Sequence, residues 1–191
     1  MAIILPIPKD RTLLFNKDVT QITIGELTTS ILEIENDDVY IKQLYKLHNL
    51  EYSPNPIKIY IDSHGGDVYH CLGLLGIMSH CKTDIHTIVT GCAMSAGFMI
   101  LITGHRRFAY KHSTLLYHQI SSGGGWGSST LCEQLEEIDE TERLQKILER
   151  HILDHTKINK EKLKKIYENK TDWYMTSLEA LKFGCVDEII S

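Results

Sequence analysis

Between a β-branched run (Ile85, Thr87, Ile88, Val89, Thr90) and an apolar run (Phe98, Met99, Ile100, Leu101, Ile102) the chain reads Gly91-Cys92-Ala93-Met94-Ser95-Ala96-Gly97. β-branched residues favour a pleated strand, and an unbroken apolar stretch after a glycine suits a buried helix. The small residues Ala93 and Gly97, two positions either side of Ser95, let the backbone turn sharply between the two. Ser95 then falls at the first turn of the helix. There it lies beside N–H groups that lack intrahelical acceptors, at the positive end of the dipole. A serine so placed is presented rather than packed, as in the strand-turn-helix corners that carry nucleophiles. The same heptapeptide also suits a close-packed corner in which Ser95 only caps the helix.

A second unit of this kind precedes it. Ile57-Lys58-Ile59-Tyr60-Ile61 alternates as a strand and runs into Asp62-Ser63-His64-Gly65-Gly66-Asp67, after which Val68, Leu72, Leu75 and Met78 mark a helix face. Strand, glycine turn and helix, twice over, imply right-handed crossovers and an α/β fold with a largely parallel sheet. Both helix N-termini then open at the carboxyl end of the sheet, where ligands gather, and Gly65-Gly66 can approach Ser95.

Upstream, Thr12–Phe15 reads as a strand, and Ile24, Leu27, Ile31 and Ile34 give a helical spacing from Thr23 to Glu35. A second polar-apolar stretch follows to about Leu50, and Pro54 and Pro56 close a loop. Downstream, Arg107–Tyr110 and Thr114–His118 read as strands, and a loop of glycine and serine runs from Ser121 to Ser129. Thr130 and Glu133 form a capping box that opens a long helix, about 130–155, with Leu131, Leu135, Ile138, Leu144, Ile147, Leu148 and Ile152 at helical intervals. That helix is expected to project. A short helix (Leu163, Ile166), a loop (Asn169–Asp172), a capped helix from Thr176 to Gly184 and a strand over Val186–Ile190 complete the chain. With 191 residues, no repeat and no dividing linker, residues 1–191 are expected to form one domain.

A net charge of −5 argues against a nucleic-acid partner. The densest basic stretch (Lys157, Lys160, Lys162, Lys164, Lys165) is interrupted by Glu161 and reads as a solvated helix face. Five scattered cysteines, an odd count without a CxxC pair, suit reduced core residues rather than a disulfide framework. The lead Met1–Pro8 is too short to span a bilayer and lacks the basic residues of an export signal, so a cytoplasmic protein without a membrane partner is expected.

A serine hydroxyl becomes a nucleophile only when a base takes its proton and a third group fixes that base in one tautomer. Of ten histidines, His118 is best placed, because it ends a strand and enters the glycine-rich loop; His64, beside Gly65, is the rival. Asp172, in a polar loop, suits the orienting acid, but spacing does not separate it from Asp154 or Asp187. His151 and His155 share a helical face, yet the stretch lacks the glutamate of HExxH and a third ligand, so no metal is expected. Gly123-Gly124-Gly125 is followed by no Gly-Lys-Ser/Thr, and no cofactor is expected.

From Ile57 to the C-terminus, roughly two-thirds of the chain, the sequence resembles the proteolytic subunits of the Clp protease family, serine peptidases with a crotonase-like fold. Tyr60-Ile61-Asp62-Ser63-His64-Gly65-Gly66 resembles the family's Gly-Gly oxyanion turn, Gly91–Gly97 its nucleophile turn, and Leu116-Tyr117-His118-Gln119 its histidine strand. Thr171–Thr176, Glu179-Ala180 and Phe183–Asp187 resemble the segment that carries the triad acid and the last helix. The resemblance implies a ClpP-type spiral of βαβ units with a projecting handle helix. It also implies a Ser95 nucleophile, a His118 base, an Asp172 orienting acid and an oxyanion site of the Gly66 and Ala96 amides. Further implied are a homo-oligomeric ring, stacked as a double ring through the handle, polypeptide substrates cut inside the chamber, and an unfoldase ATPase partner. The chain departs from the family in its residues before Ile57, in His64 where a proline is usual, in Thr171 where an arginine is usual, and in lacking a proline after Gln119. Two rival readings share the fold: a crotonase-type acyl-thioester enzyme, and an inactive subunit that co-assembles with an active one.

Overall fold

The computed structural model describes residues 10–121 and 130–190; the lead Met1–Pro8 and most of the glycine-serine loop lie outside them. Strand β1 (Thr12–Phe15) leads into helix α1 (Gln21–Leu47), whose cap is reciprocal: the Thr20 hydroxyl accepts from the Thr23 N–H and the Thr23 hydroxyl from the Thr20 N–H. The sequence pattern ends the first helix at Glu35, whereas α1 is one helix, because its buried stripe continues through Asp38 and Ile41. A carboxylate at a core position breaks the apolar pattern. Asp38 is held there by a paired Arg11 guanidinium, by the Thr83 hydroxyl at 2.6 Å and by the Tyr52 hydroxyl at 2.7 Å. Burial opposes its charge, but these donors outweigh burial and keep the carboxyl below the usual carboxylate range.

The two strand-turn-helix units follow as β2 (Ile57–Ser63) with α2 (Val68–His80), and β3 (Ile85–Met94) with α3 (Ala96–Ile102). Every residue of α3 is buried, as an unbroken apolar run requires. Next come β4 (Arg106–Tyr110), β5 (Thr114–Tyr117), α4 (Leu131–His155), α5 (Lys160–Asn169), β6 (Trp173–Thr176), α6 (Ser177–Lys182) and β7 (Glu188–Ile190).

The sheet runs β1-β2-β3-β4-β7, parallel throughout. β3 changes partner along its length: His86–Val89 pair with β4, and Cys92–Met94 pair with β5. The ten-residue strand thus continues through Gly91 to the residue before Ser95, further than its β-branched run alone suggests. β5 also pairs antiparallel with β6, a strand the pattern does not predict, because four residues abutting a helix cap carry no clear alternation. Helices α1, α2 and α3 cover the sheet face that carries Ile57, Ile59 and Ile61. The second half of α4 packs onto α3, with Leu148 and Ile152 in the shared core, while its first turns project, with Leu131, Leu135 and Ile138 each more than half exposed.

Candidate active site

The turn at Ser95 is strained. Its φ of 53° and ψ of −119° place a non-glycine residue where L side chains are disfavoured, at a cost of order 1–3 kcal/mol. Ser95 stands at the N-cap of α3 but makes no side-chain cap bond, so its hydroxyl is left for other work. Its N–H donates to the Leu116 carbonyl at 2.9 Å, which ties the turn to the strand that carries His118 two residues later.

Gly65 and Gly66 are shaped by what lies against them. A Cβ on Gly65 would meet the Met94 carbonyl at 2.7 Å, the Ser95 Cβ at 2.8 Å and the Ala96 nitrogen at 2.9 Å, so only glycine lets the turns touch. On the other side Val19 binds this segment: its N–H donates to the Gly65 carbonyl at 2.7 Å and its carbonyl accepts from the Asp67 N–H at 2.9 Å. That pair leaves the Gly66 amide outside it. Ala96 opens α3, so its N–H is one of those that a helix's first turn leaves without an internal acceptor.

Gly66, Ser95, Ala96 and His118 line one small cavity of about 60 Å³. Its far wall is apolar, made by Val68, Cys71, Met99, Ile120 and Leu148. Burial pushes the Cys71 thiol up to about 12, which keeps it a neutral wall group rather than a competing nucleophile. His118 is half-buried, and its Nδ1 lies 2.6 Å from the Gln119 carbonyl. A carbonyl only accepts, so Nδ1 carries the hydrogen, and Nε2 keeps the lone pair that a base needs.

Asp172 is exposed and directly precedes β6. The last pair of the β5–β6 ladder is Tyr117 with Trp173, so His118 immediately follows that pair and Asp172 immediately precedes it in sequence. No bond joins the two among the described residues; the Gln119 carbonyl holds Nδ1 instead. The competing acids are engaged elsewhere. Asp187 accepts from the Arg107 guanidinium at 2.6 and 3.1 Å, and Asp154 from Arg150 at 2.9 Å. His64 is exposed and absent from the cavity wall. The His151 Nε2 lies 2.8 Å from the Thr103 hydroxyl, and the His155 Nδ1 lies 2.8 Å from the His151 carbonyl, so this pair serves the packing of α4 on α3.

A larger cavity, about 860 Å³, opens on the opposite sheet face beside Lys58, Tyr60, His86 and Phe108, with no serine in its wall. Ser95 and His118 line only the smaller of these two cavities. Sequence reasoning missed Val19 and the Leu116 carbonyl, which act through backbone atoms and leave no residue-type signal.

A strained serine that shares a cavity with a histidine, a glycine turn and the first amide of α3 is the arrangement expected of a serine hydrolase. Residues 16–191 match the Clp protease family, and the chain belongs to it; its activity is that of a serine endopeptidase. The match begins well before Ile57. Among curated relatives, the ATP-dependent Clp protease proteolytic subunit 1 of Prochlorococcus marinus (strain MIT 9312) is 28% identical over 95% of this chain and 85% of its own length. The proteolytic subunit 2 of Synechococcus sp. (strain CC9605) is 27% identical over 95% and 84%. The ATP-dependent Clp protease proteolytic subunit of Bacteroides thetaiotaomicron is 35% identical over 70% of this chain and 60% of its own.

Proposed function

We propose that Ser95, His118 and Asp172 form the catalytic triad of this peptidase and that the Gly66 and Ala96 amides receive the oxyanion. The observation that carries the reading is the single small cavity shared by Gly66, Ser95, Ala96 and His118. The Ser95 Oγ attacks the scissile carbonyl while His118 Nε2 takes its proton. The carbonyl oxygen becomes an anion between two N–H donors, each typically worth about 3 kcal/mol in the transition state. As the C–N bond breaks, His118 returns that proton to the leaving amine; water, deprotonated by His118, then hydrolyses the Ser95 ester. Asp172 takes over the Nδ1–H from the Gln119 carbonyl when the site closes on substrate, a loose resting geometry being common in apo sites.

The protein works as a homo-oligomeric ring, with a second ring stacked through α4. The exposed Leu131, Leu135 and Ile138 support this, because an apolar stripe on a projecting helix is stabilised by a covering copy. Its substrates are unfolded polypeptides, and its relatives' description as ATP-dependent supports an unfoldase ATPase partner. A cytoplasmic location fits; no helix among the described residues is long and apolar enough to cross a membrane. A serine-directed fluorophosphonate followed by peptide mapping tests the triad. Labelling at Ser95, with loss of peptide hydrolysis in Ser95→Ala, is expected; an unlabelled Ser95 in the assembled protein refutes the triad.

A further inference from the structure

Resting on the triad reading, we propose that Gln145 of α4 is a positioning residue for the catalytic histidine. It would clamp the chain on both sides of His118-Gln119. The Gln145 Oε1 accepts from the Ile120 N–H at 2.9 Å, and its Nε2 donates to the Tyr117 hydroxyl at 2.9 Å. Tyr117 immediately precedes His118 and Ile120 immediately follows Gln119, so one side chain holds both ends of the dipeptide that carries the base. The second Nε2 hydrogen goes to the Glu149 carboxylate, one helical turn on, at 2.9 Å, which fixes the amide's orientation.

The placement is costly enough to require a reason. Gln145 stands on the buried stripe of α4 between Leu144 and Leu148, where the helical pattern alone asks for an apolar residue, and Tyr117 is buried in turn. Buried polar groups are tolerated only when bonded, and here both ends of the amide are. Ile120 also contributes to the apolar wall beside Ser95, so the Ile120 N–H anchor sets that wall as well as the imidazole. β5 ends at Tyr117, and past it the sheet ladder no longer fixes the chain. Gln145 supplies the fixing from α4, the helix whose projecting half carries the exposed apolar stripe.

The test compares Gln145→Met, which keeps the volume and loses the bonds, with Tyr117→Phe and the exchange Gln145→Glu with Glu149→Gln. The exchange keeps an acceptor for the Ile120 N–H and returns a donor at position 149. Peptide hydrolysis, the rate of Ser95 labelling by fluorophosphonate, melting temperature and oligomer size are read on the assembled protein. Gln145→Met is expected to lower kcat and labelling about tenfold or more with KM within twofold, since a small misplacement of a reacting group carries that penalty. Tyr117→Phe, which removes one anchor, should fall between it and the parent, and the exchange should recover most of kcat. An unchanged kcat and labelling rate in Gln145→Met overturns the proposal. So does a loss of rate that only tracks melting temperature and that the exchange does not restore. Failure of the triad reading shows separately, as hydrolysis that survives Ser95→Ala.

Discussion

Replacing Ser95 by glycine should stabilise the protein relative to replacing it by alanine, although both variants lack the proposed nucleophile. At φ 53° and ψ −119° an L side chain is disfavoured whatever it is, so alanine inherits the strain and glycine releases it. Released strain contributes about 1–3 kcal/mol; against it stands the greater freedom of glycine in the unfolded chain, about 0.4–1 kcal/mol. Mid-range values, about 2 less about 0.7 kcal/mol, leave about 1.3 kcal/mol in favour of glycine. For a chain of this length 1 kcal/mol moves the melting temperature about 2–4 °C, so Ser95→Gly should melt roughly 3–5 °C above Ser95→Ala. The assay is differential scanning calorimetry of the two inactive variants at one protein concentration, because assembly makes melting depend on concentration. Equal melting, or a lower value for glycine, would refute the claim that the turn stores strain for the sake of its hydroxyl.

Asp172→Asn should fold and assemble yet lose up to about 10⁴ in kcat, as removal of a tautomer-fixing acid does; Asp154→Asn should stay near parental activity, measured by peptide hydrolysis. His151 is held down to about 4, first by burial and then by the neighbouring His155. The unfolded chain therefore binds this proton below about pH 6.5 while the folded protein refuses it until about pH 4, and stability falls as pH falls through that window. Allowing for its partial exposure, the loss is about 2 kcal/mol, and melting of His151→Gln compared with parent between pH 7 and 4.5 should show the flatter curve in the variant. Charges at Leu135→Glu and Ile138→Glu, on the exposed stripe of α4, should shrink the oligomer in light scattering without unfolding the subunit; an unchanged assembly would move the interface elsewhere.

The strand-turn-helix corner at Ser95 was legible because it is written in residue types: β-branched residues, then small ones, then an unbroken apolar run. Gly66 and Ser95 meet in one cavity as the parallel topology implies, and Ala96 and His118 line it with them. Asp172 was not separable by spacing, since what brings its segment beside that of His118 is the pairing of Tyr117 with Trp173, and β6 is too short to announce itself. The sequence pattern carried the first helix only to Glu35, because Asp38, a buried carboxylate with four hydrogen bonds from Arg11, Thr83 and Tyr52, looks, letter by letter, like a surface residue. Gln145 was hidden by the same blindness, a polar letter on a core stripe whose meaning lies wholly in its partners.

Val19 grips the glycine turn by its own N–H and carbonyl and asks nothing of its side chain for that grip. The grip on the glycine turn therefore survives a change of side chain at position 19, provided the chain still delivers a peptide unit other than proline to that spot. A fragment trimmed to begin at Thr20 would lose the brace while keeping Gly66, Ser95, Ala96 and His118, every residue proposed for the chemistry.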